Sequence, residues 1–242
     1  MKLTDFQVLT FDCYGTLIDW ESGIRTALQP LLELAEQAPA ADRLLEDFGA
    51  EEAEAEQANP DMPYPQILAR VHRRLAARWG IDAPEQMALD FGRGVPHWPA
   101  FADSASSLMY LAKYYKLVIL SNVDRDSFAA SHRRLGVTFD AVYTAEDIGS
   151  YKPDTRNFEY LVEGVARAFG IGREGILHTA QSLFHDHEPA RRHGLANAWI
   201  DRRYDQQGWG ATRPPASRPA VDFHFHSMAD LVVAHQQALR ES

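Results

Sequence analysis

The stretch VLTFDCYGTLIDW, residues 8–20, runs four apolar or β-branched residues into a carboxylate, Asp12, and then into a Gly15-Thr16 turn. A short run of this kind, bounded by turn residues, reads as a buried strand. A carboxylate at its carboxyl end is held in a fixed place beside the N–H groups of the turn, which suits a nucleophile that forms a covalent ester. It equally suits an aspartate that caps the turn. The residue two places after Asp12 is Tyr14 and not a second acid.

Further apolar, β-branched runs follow at 116–122, 140–146, 175–182 and 197–201, with a last short one in DFHFH, 222–226. Several are continuous, as in strands covered on both faces. Helical patterns at 103–115, 125–136, 154–170 and 187–194 separate them. This alternation predicts an α/β fold, a Rossmann-like, mostly parallel sheet. Ligands of such sheets gather at the carboxyl ends of the strands. Asp12, Ser121, Asn122, Gln181 and Ser182 fall there. Residues 19–97 contain no convincing strand and read as helices at 21–37, 41–58, 64–79 and 84–92. NPDMPYP, 59–65, breaks two of them because its prolines cannot continue a helix. The chain therefore divides into a core of 1–18 and 98–242 and an inserted all-helical cap of 19–97. The acidic EDFGAEEAEAE, 46–56, reads as a solvated helix face. RRYDQQGWGATRPPASRP, 202–219, reads as a loop.

The net charge of −10 argues against nucleic acid as a partner, which needs a basic footprint. The single cysteine, Cys13, excludes an internal disulfide and fits a reducing compartment. No apolar run approaches the roughly 20 residues that span a bilayer, and the first residues lack a signal-peptide layout. A cytoplasmic enzyme with no membrane partner is expected.

Four motifs in order, FDCYGTL, LSN at 120–122, YKPD at 151–154 and AQSLFHD at 180–186, resemble those of the haloacid dehalogenase superfamily. The resemblance spans nearly the whole chain, helical insertion included. It implies Asp12 as nucleophile, Lys152 as the lysine that neutralises and orients it, Thr16 holding the Asp12 side, and Asp186 positioning Lys152 or polarising water. Phosphatases of that superfamily carry a second Asp two residues after the nucleophile, to protonate a leaving alcohol. A halide needs no proton. Tyr14 there is typical of the 2-haloacid dehalogenase branch.

The resemblance thus implies hydrolysis of short 2-haloacids through an aspartyl ester. It implies no metal and no other cofactor, a small-molecule substrate, and a homodimer. Ser121 would donate to the substrate carboxylate and Asn122 to the halide. Tyr14, Trp20, Gln181, Ser182 and His185 complete the expected substrate site. A magnesium-dependent phosphatase and a non-catalytic relative of the same fold are the competing readings. The sequence departs from the branch in three places. Gln181-Ser182-Leu183 stands for Ser-Ser-Asn, Phe158 for a tyrosine, and no arginine occurs near Phe48–Glu51 to grip a substrate carboxylate.

Overall fold

The computed structural model describes residues 1–241. Six strands, β1 (Val8–Phe11), β2 (Lys116–Ser121), β3 (Ala141–Thr144), β4 (Ile176–Ala180), β5 (Ala196–Ile200) and β6 (Phe223–Phe225), form one sheet. Its order is β3-β2-β1-β4-β5-β6, and every pairing is parallel. The chain leaves β1 toward one edge and later returns beside β1 to build the other. The crevice between the carboxyl ends of β2, β1 and β4 is therefore the topological switch point, where open α/β sheets bind ligands.

The continuous strand pattern has the expected cause. Leu9, Phe11, Leu117, Ile119 and Leu177 bury on one face. Val8, Val118, Leu120 and Ile176 bury on the other, against Phe158, Leu161 and Val165 of a helix over Thr155–Phe169. Each such side chain contributes roughly 1.5–3 kcal/mol when fully withdrawn from water. Phe158 is part of this packing and stacks on His193.

Between β1 and β2 lie four helices: α1 (Trp20–Leu32), α2 (Ala41–Ala58), α3 (Tyr64–Arg78) and α4 (Glu85–Gly92). Asp19 starts α1 by accepting the Ser22 N–H at 3.2 Å, a standard N-cap. Among the described residues no helix is long and apolar enough to cross a membrane. Helix α5 (Ser104–Leu111) precedes β2, and after β2 come α6 (Arg125–Leu135), α7 (Ala145–Ile148), α8 (Thr155–Phe169), α9 (Glu188–Arg192) and α10 (Met228–Arg240).

Three readings of the sequence need correction. The run 140–146 is not one strand: β3 ends at Thr144, whose hydroxyl accepts the Asp147 N–H at 3.2 Å while the Asp147 carboxylate accepts the Thr144 N–H at 3.0 Å. This reciprocal capping box starts α7 and stops the strand. The run 175–182 ends at Ala180, because Ser182 accepts the His185 N–H at 2.9 Å and opens a π-helical turn over Leu183–His187. The acidic stretch on α2 is not a solvated face. Asp47, Glu51, Glu52 and Glu56 are all buried, because α2 is packed between α3 and the carboxyl edge of the sheet.

Gly15 closes the turn behind Asp12 at φ +91°, and a Cβ there would meet Trp20 Nε1 at 3.0 Å. Only glycine adopts that backbone without strain. Gly15→Ala is expected to lower stability by about 1–2 kcal/mol or more, read as a lower urea midpoint with an unchanged slope.

Candidate active site

Register places the nucleophile candidate. Phe11 of β1 pairs with Ile119 of β2 and Thr179 of β4, so Asp12 emerges between two strand ends. Its own N–H donates to the Thr179 carbonyl at 3.1 Å. Its Oδ1 accepts from Lys152 Nζ at 2.8 Å, and its Oδ2 from the Thr16 hydroxyl at 2.7 Å. The Thr16 oxygen in turn accepts the Gln181 N–H at 2.9 Å, which ties the turn to the end of β4.

Lys152 is 2 % exposed. Its ammonium donates to Asp12, to Asp186 Oδ1 at 2.8 Å and to the Leu120 carbonyl at 3.1 Å. All three N–H groups are used. Asn122 clamps the Lys152 backbone from both sides: its Oδ1 accepts the Lys152 N–H at 2.7 Å and its Nδ2 donates to the Lys152 carbonyl at 3.1 Å. Burial alone would make the ammonium easier to deprotonate; the Asp12 and Asp186 charges outweigh it and hold the Lys152 pKa above the ordinary range. Burial pushes the Asp12 carboxyl up; Lys152 opposes this and the nearby Asp186 charge adds to it. For Asp186 burial also acts upward, but Lys152 and the bond from His178 prevail and hold its pKa well below the carboxylate range.

His178 is a residue that the sequence reading passed over. It sits fully buried inside β4, with Nε2 2.9 Å from Asp186 Oδ1 and Nδ1 2.8 Å from the Thr10 hydroxyl. Ionised Asp186 accepts the Nε2–H, so Nδ1 accepts from Thr10; this tautomer follows from the network. Thr10, His178, Asp186, Lys152, Asp12 and Thr16 thus form one chain of hydrogen bonds. A histidine within an apolar strand, two residues from the strand's end, was the available signal.

A chamber of about 40 Å³ adjoins Asp12, Lys152 and Asp186. Tyr14, Trp20, Asn122, Ser182 and His185 line it, as do Glu52, Glu56, Tyr64 and Thr212. Tyr14 contributes its ring. Its hydroxyl is turned to Ser131 Oγ at 2.8 Å, and burial keeps it protonated by pushing its pKa well up. His185 bonds Ser182, with Nδ1 3.2 Å from Oγ, and burial pushes its pKa down to about 4, so it is neutral near pH 7. Asp186 Oδ2 and Ser121 Oγ are buried without a hydrogen-bond partner among the described residues.

Gln181 is not brought into the chamber. It lines a separate cleft with Gly15, Trp20 and Arg202. The loop at 202–219 does more than connect: Arg202 donates to the Thr16 carbonyl at 3.0 Å and to Asp103 at 2.9 Å. A larger cleft of about 390 Å³ shares Glu56, Lys152 and His185 with the chamber and carries Arg156, Arg192 and Arg213 outside it.

The competing phosphatase reading asks for a second acid where Tyr14 stands. The tyrosine at the second-acid position points its hydroxyl away, and among the described residues no group of three or more His, Cys, Asp or Glu side chains is placed to hold a metal ion.

A model of the haloacid dehalogenase-like hydrolases matches residues 6–170, and the chain belongs to that hydrolase family. It is similar to an (S)-2-haloacid dehalogenase from Pseudomonas sp. (strain YL), 35% identical over 105 residues, 42% of this chain. That match spans 43% of the relative's own length. The L-2-haloacid dehalogenase from Xanthobacter autotrophicus, solved with chloropropionic acid covalently bound, superposes with a TM-score of 0.77 at 18% identity, covering 96% of this chain and 98% of that one. The defluorinating L-2-haloacid dehalogenase Rha0230 superposes at 0.76 with 18% identity, covering 97% and 98%. At these identities the superpositions show the fold.

The two chamber glutamates set a pH dependence. Burial, offset in part by the Tyr64 hydroxyl, pushes Glu52 from 4.5 up to about 7. Burial and the Glu52 charge push Glu56 well up, against Lys152 and the Asn122 amide. A carboxyl with a raised folded-state pKa contributes stability that is complete below about pH 4.5 and is lost as pH rises through 7. Glu52→Gln is expected to melt higher than the parent at pH 8, with the difference shrinking toward pH 4.5. Calorimetry of both proteins across that range checks the sign.

Proposed function

We propose that this hydrolase displaces halide from a short 2-haloacid through an aspartyl ester. One observation carries the reading: a buried carboxylate, Asp12, is fixed by Lys152 and Thr16 beside a small chamber, with Tyr14 where a proton donor to the leaving group would stand. An Asp12 oxygen attacks the carbon bearing the halogen. The carbon–halogen electron pair leaves as halide, which needs no general acid. Water then attacks the Asp12 ester carbonyl and releases the 2-hydroxy acid.

Asp186 is suited to take the proton from that water. Its Oδ1 is saturated by Lys152 and His178, and its Oδ2 is unpartnered on a residue lining the chamber. Lys152 stabilises Asp12 and the charge that develops on the ester oxygen. Ser121, with its free hydroxyl, donates to the substrate carboxylate. Asn122 acts chiefly through Lys152, since its amide is spent on that backbone and on Glu56. Trp20, Tyr14 and Tyr64 keep the chamber dry, which strengthens these charge interactions. In this reading residues 19–97 are a cap that closes over a core of 1–18 and 98–242, and no step draws on a metal.

Single turnover in heavy-oxygen water tests the reaction. Label is expected to enter the Asp12 peptide first, and Asp12→Asn is expected to abolish halide release in a variant that circular dichroism shows to be folded, at a lower melting temperature because Lys152 loses a charge partner. Label appearing only in the product would sink the ester. Lys152→Ala is expected to cut kcat by roughly a hundredfold or more. Chelator is expected to leave halide release unchanged.

A further inference from the structure

The loop at 202–219 holds one arginine in place beside the nucleophile without giving it an anion. Ala211 and Thr212 are 1% and 6% exposed. The Ala211 N–H donates to Glu21 Oε1 at 2.9 Å, and the Thr212 hydroxyl donates to Gln181 Oε1 at 3.3 Å. A Cβ at Gly49 of α2 would collide with the Ala211 carbonyl, so helix and loop are in backbone contact. This buried pair fixes where the next residue, Arg213, leaves the loop. Its guanidinium lies 5.4 Å from the centre of the Phe184 ring, a cation–π contact. Arg202 and Arg203 of the same loop pair with Asp103 and Glu21; among the described residues Arg213 pairs with no carboxylate.

Arg213 lines the cleft of about 390 Å³ that shares Glu56, Lys152 and His185 with the chamber. His185 stands at the junction. Ser182 Oγ already accepts the His185 backbone N–H at 2.9 Å, so its own hydrogen goes to Nδ1, 3.2 Å away. The ring is therefore the Nε2–H tautomer, as the network requires. It is neutral near pH 7, and the Lys152 and Arg213 charges both act on it. The junction thus offers a neutral donor in a positive field. Arg156 and Arg192 line the same cleft. Each pairs with an acid of its own stretch, Arg156 with Asp154 at 3.3 Å and Arg192 with Glu188 at 3.2 Å. Exposed pairs of this kind hold weakly, and a guanidinium has five N–H donors. Of the cleft's two acids, Asp154 is paired and burial pushes Glu56 well toward its neutral form. In a chain of net charge −10, this cleft is locally positive. Its volume falls in the range of small-molecule pockets, which begin at about 300 Å³; the chamber's does not.

We propose that the cleft binds an anionic oxygen group, carboxylate or phosphate, on Arg213, and that the substrate is a 2-haloacid carrying such a group at the end away from the halogen. The first half stands on the cleft alone; the second rests on the dehalogenase reading above. The halogen-bearing carbon reaches Asp12 past Lys152 and His185, and the far end stays over Arg213. The planar guanidinium takes two oxygens of a carboxylate or phosphate at once, and the Phe184 ring supports it from one side. Arg156 and Arg192 raise the local concentration of anions. Selection of the non-reacting end falls to a loop that follows β5, and not to the helical insertion.

Titration calorimetry on the full chain at pH 7 and low salt tests the site with glutarate, inorganic phosphate and 1,5-pentanediol. At least one anion is expected to bind and the diol not; the tighter anion identifies the group. Arg213→Gln is expected to weaken that anion by roughly tenfold or more, the worth of one charged hydrogen bond. Arg213 is exposed, and a melting curve verifies that the variant is folded. Neither anion binding, or equal binding by parent and variant, overturns the site. In a second arm, halide release is compared for 2-chloroadipate and 2-chlorohexanoate, chains of equal length that differ in a terminal carboxylate. The diacid is expected to have roughly tenfold or more higher kcat/KM, chiefly through KM, with the preference lost in Arg213→Gln. Arg213-dependent anion binding with no halide from either compound refutes the dehalogenase reading and keeps the anion site. The same binding with equal halide release from both keeps the anion site and overturns the substrate assignment. Equal halide release without Arg213-dependent binding refutes the anion site and keeps the dehalogenase reading.

Discussion

The Lys152 ammonium, buried between Asp12 and Asp186, is the interaction on which the site depends. Two carboxylates so close to each other and so far from water do not both remain ionised without it. Removing one partner from such a buried set is far more costly than never having built it. The sheet supplies the precision that the triad demands. Asp12 comes from β1, the Leu120 carbonyl from β2, and Asp186 from the π-helical turn after β4. His178 reaches Asp186 from within β4, and Asn122 fixes the lysine's backbone from the end of β2. Each group sits on, or directly after, a rigid element, so the distances survive thermal motion better than they would in loops.

The π-helical turn after β4 sets the directions of three neighbouring side chains. An i→i+5 turn gains one residue over an α-helical one. Over Leu183–His187 that extra residue buries Asp186 toward Lys152 and His187 toward the Ala180 carbonyl, at 2.8 Å, while leaving His185 on the chamber wall. Three consecutive polar residues thereby serve three directions. Burial pushes His187 down to about 4, so it acts as a neutral donor to backbone and not as a charge.

The helical insertion and the sheet meet through α2. Its outer face is laced to α3 by arginine pairs, and its inner face places Glu52 and Glu56 over the nucleophile. The same helix thus supplies cohesion on one side and part of the chamber lining on the other. The loop at 202–219 completes the wall from below, with Thr212 in the chamber and Arg202 holding the Thr16 carbonyl. The match to the haloacid dehalogenase-like hydrolases, over residues 6–170, takes in Asp12, Thr16 and Lys152 as well as α2.

The sequence by itself determined the strands, the all-helical insertion and the charged residues at the strand ends, because continuous apolar runs and turn residues carry their meaning locally. Asp12 was legible for that reason, whereas Thr16, Lys152 and Asp186 were legible only through the resemblance of four ordered motifs to a known superfamily. Which way α2 faces was not. EDFGAEEAEAE is compatible with a solvated surface or with a buried one, and only the arginines of α3, some twenty residues later, decide that Asp47 and Glu51 turn toward them while Glu52 and Glu56 turn toward the sheet. Gln181 was misplaced by the same kind of ambiguity. Side chains near a strand end alternate in direction, and where β4 stops is set by the Ser182 cap and not by hydrophobicity. His178 and Thr10 looked like ordinary strand residues until parallel pairing put β1 beside β4, in a register that aligns Thr10 with His178. Local pattern fixes which element a residue belongs to; contacts between distant elements fix which charges meet, and the chemistry of this site resides in those meetings.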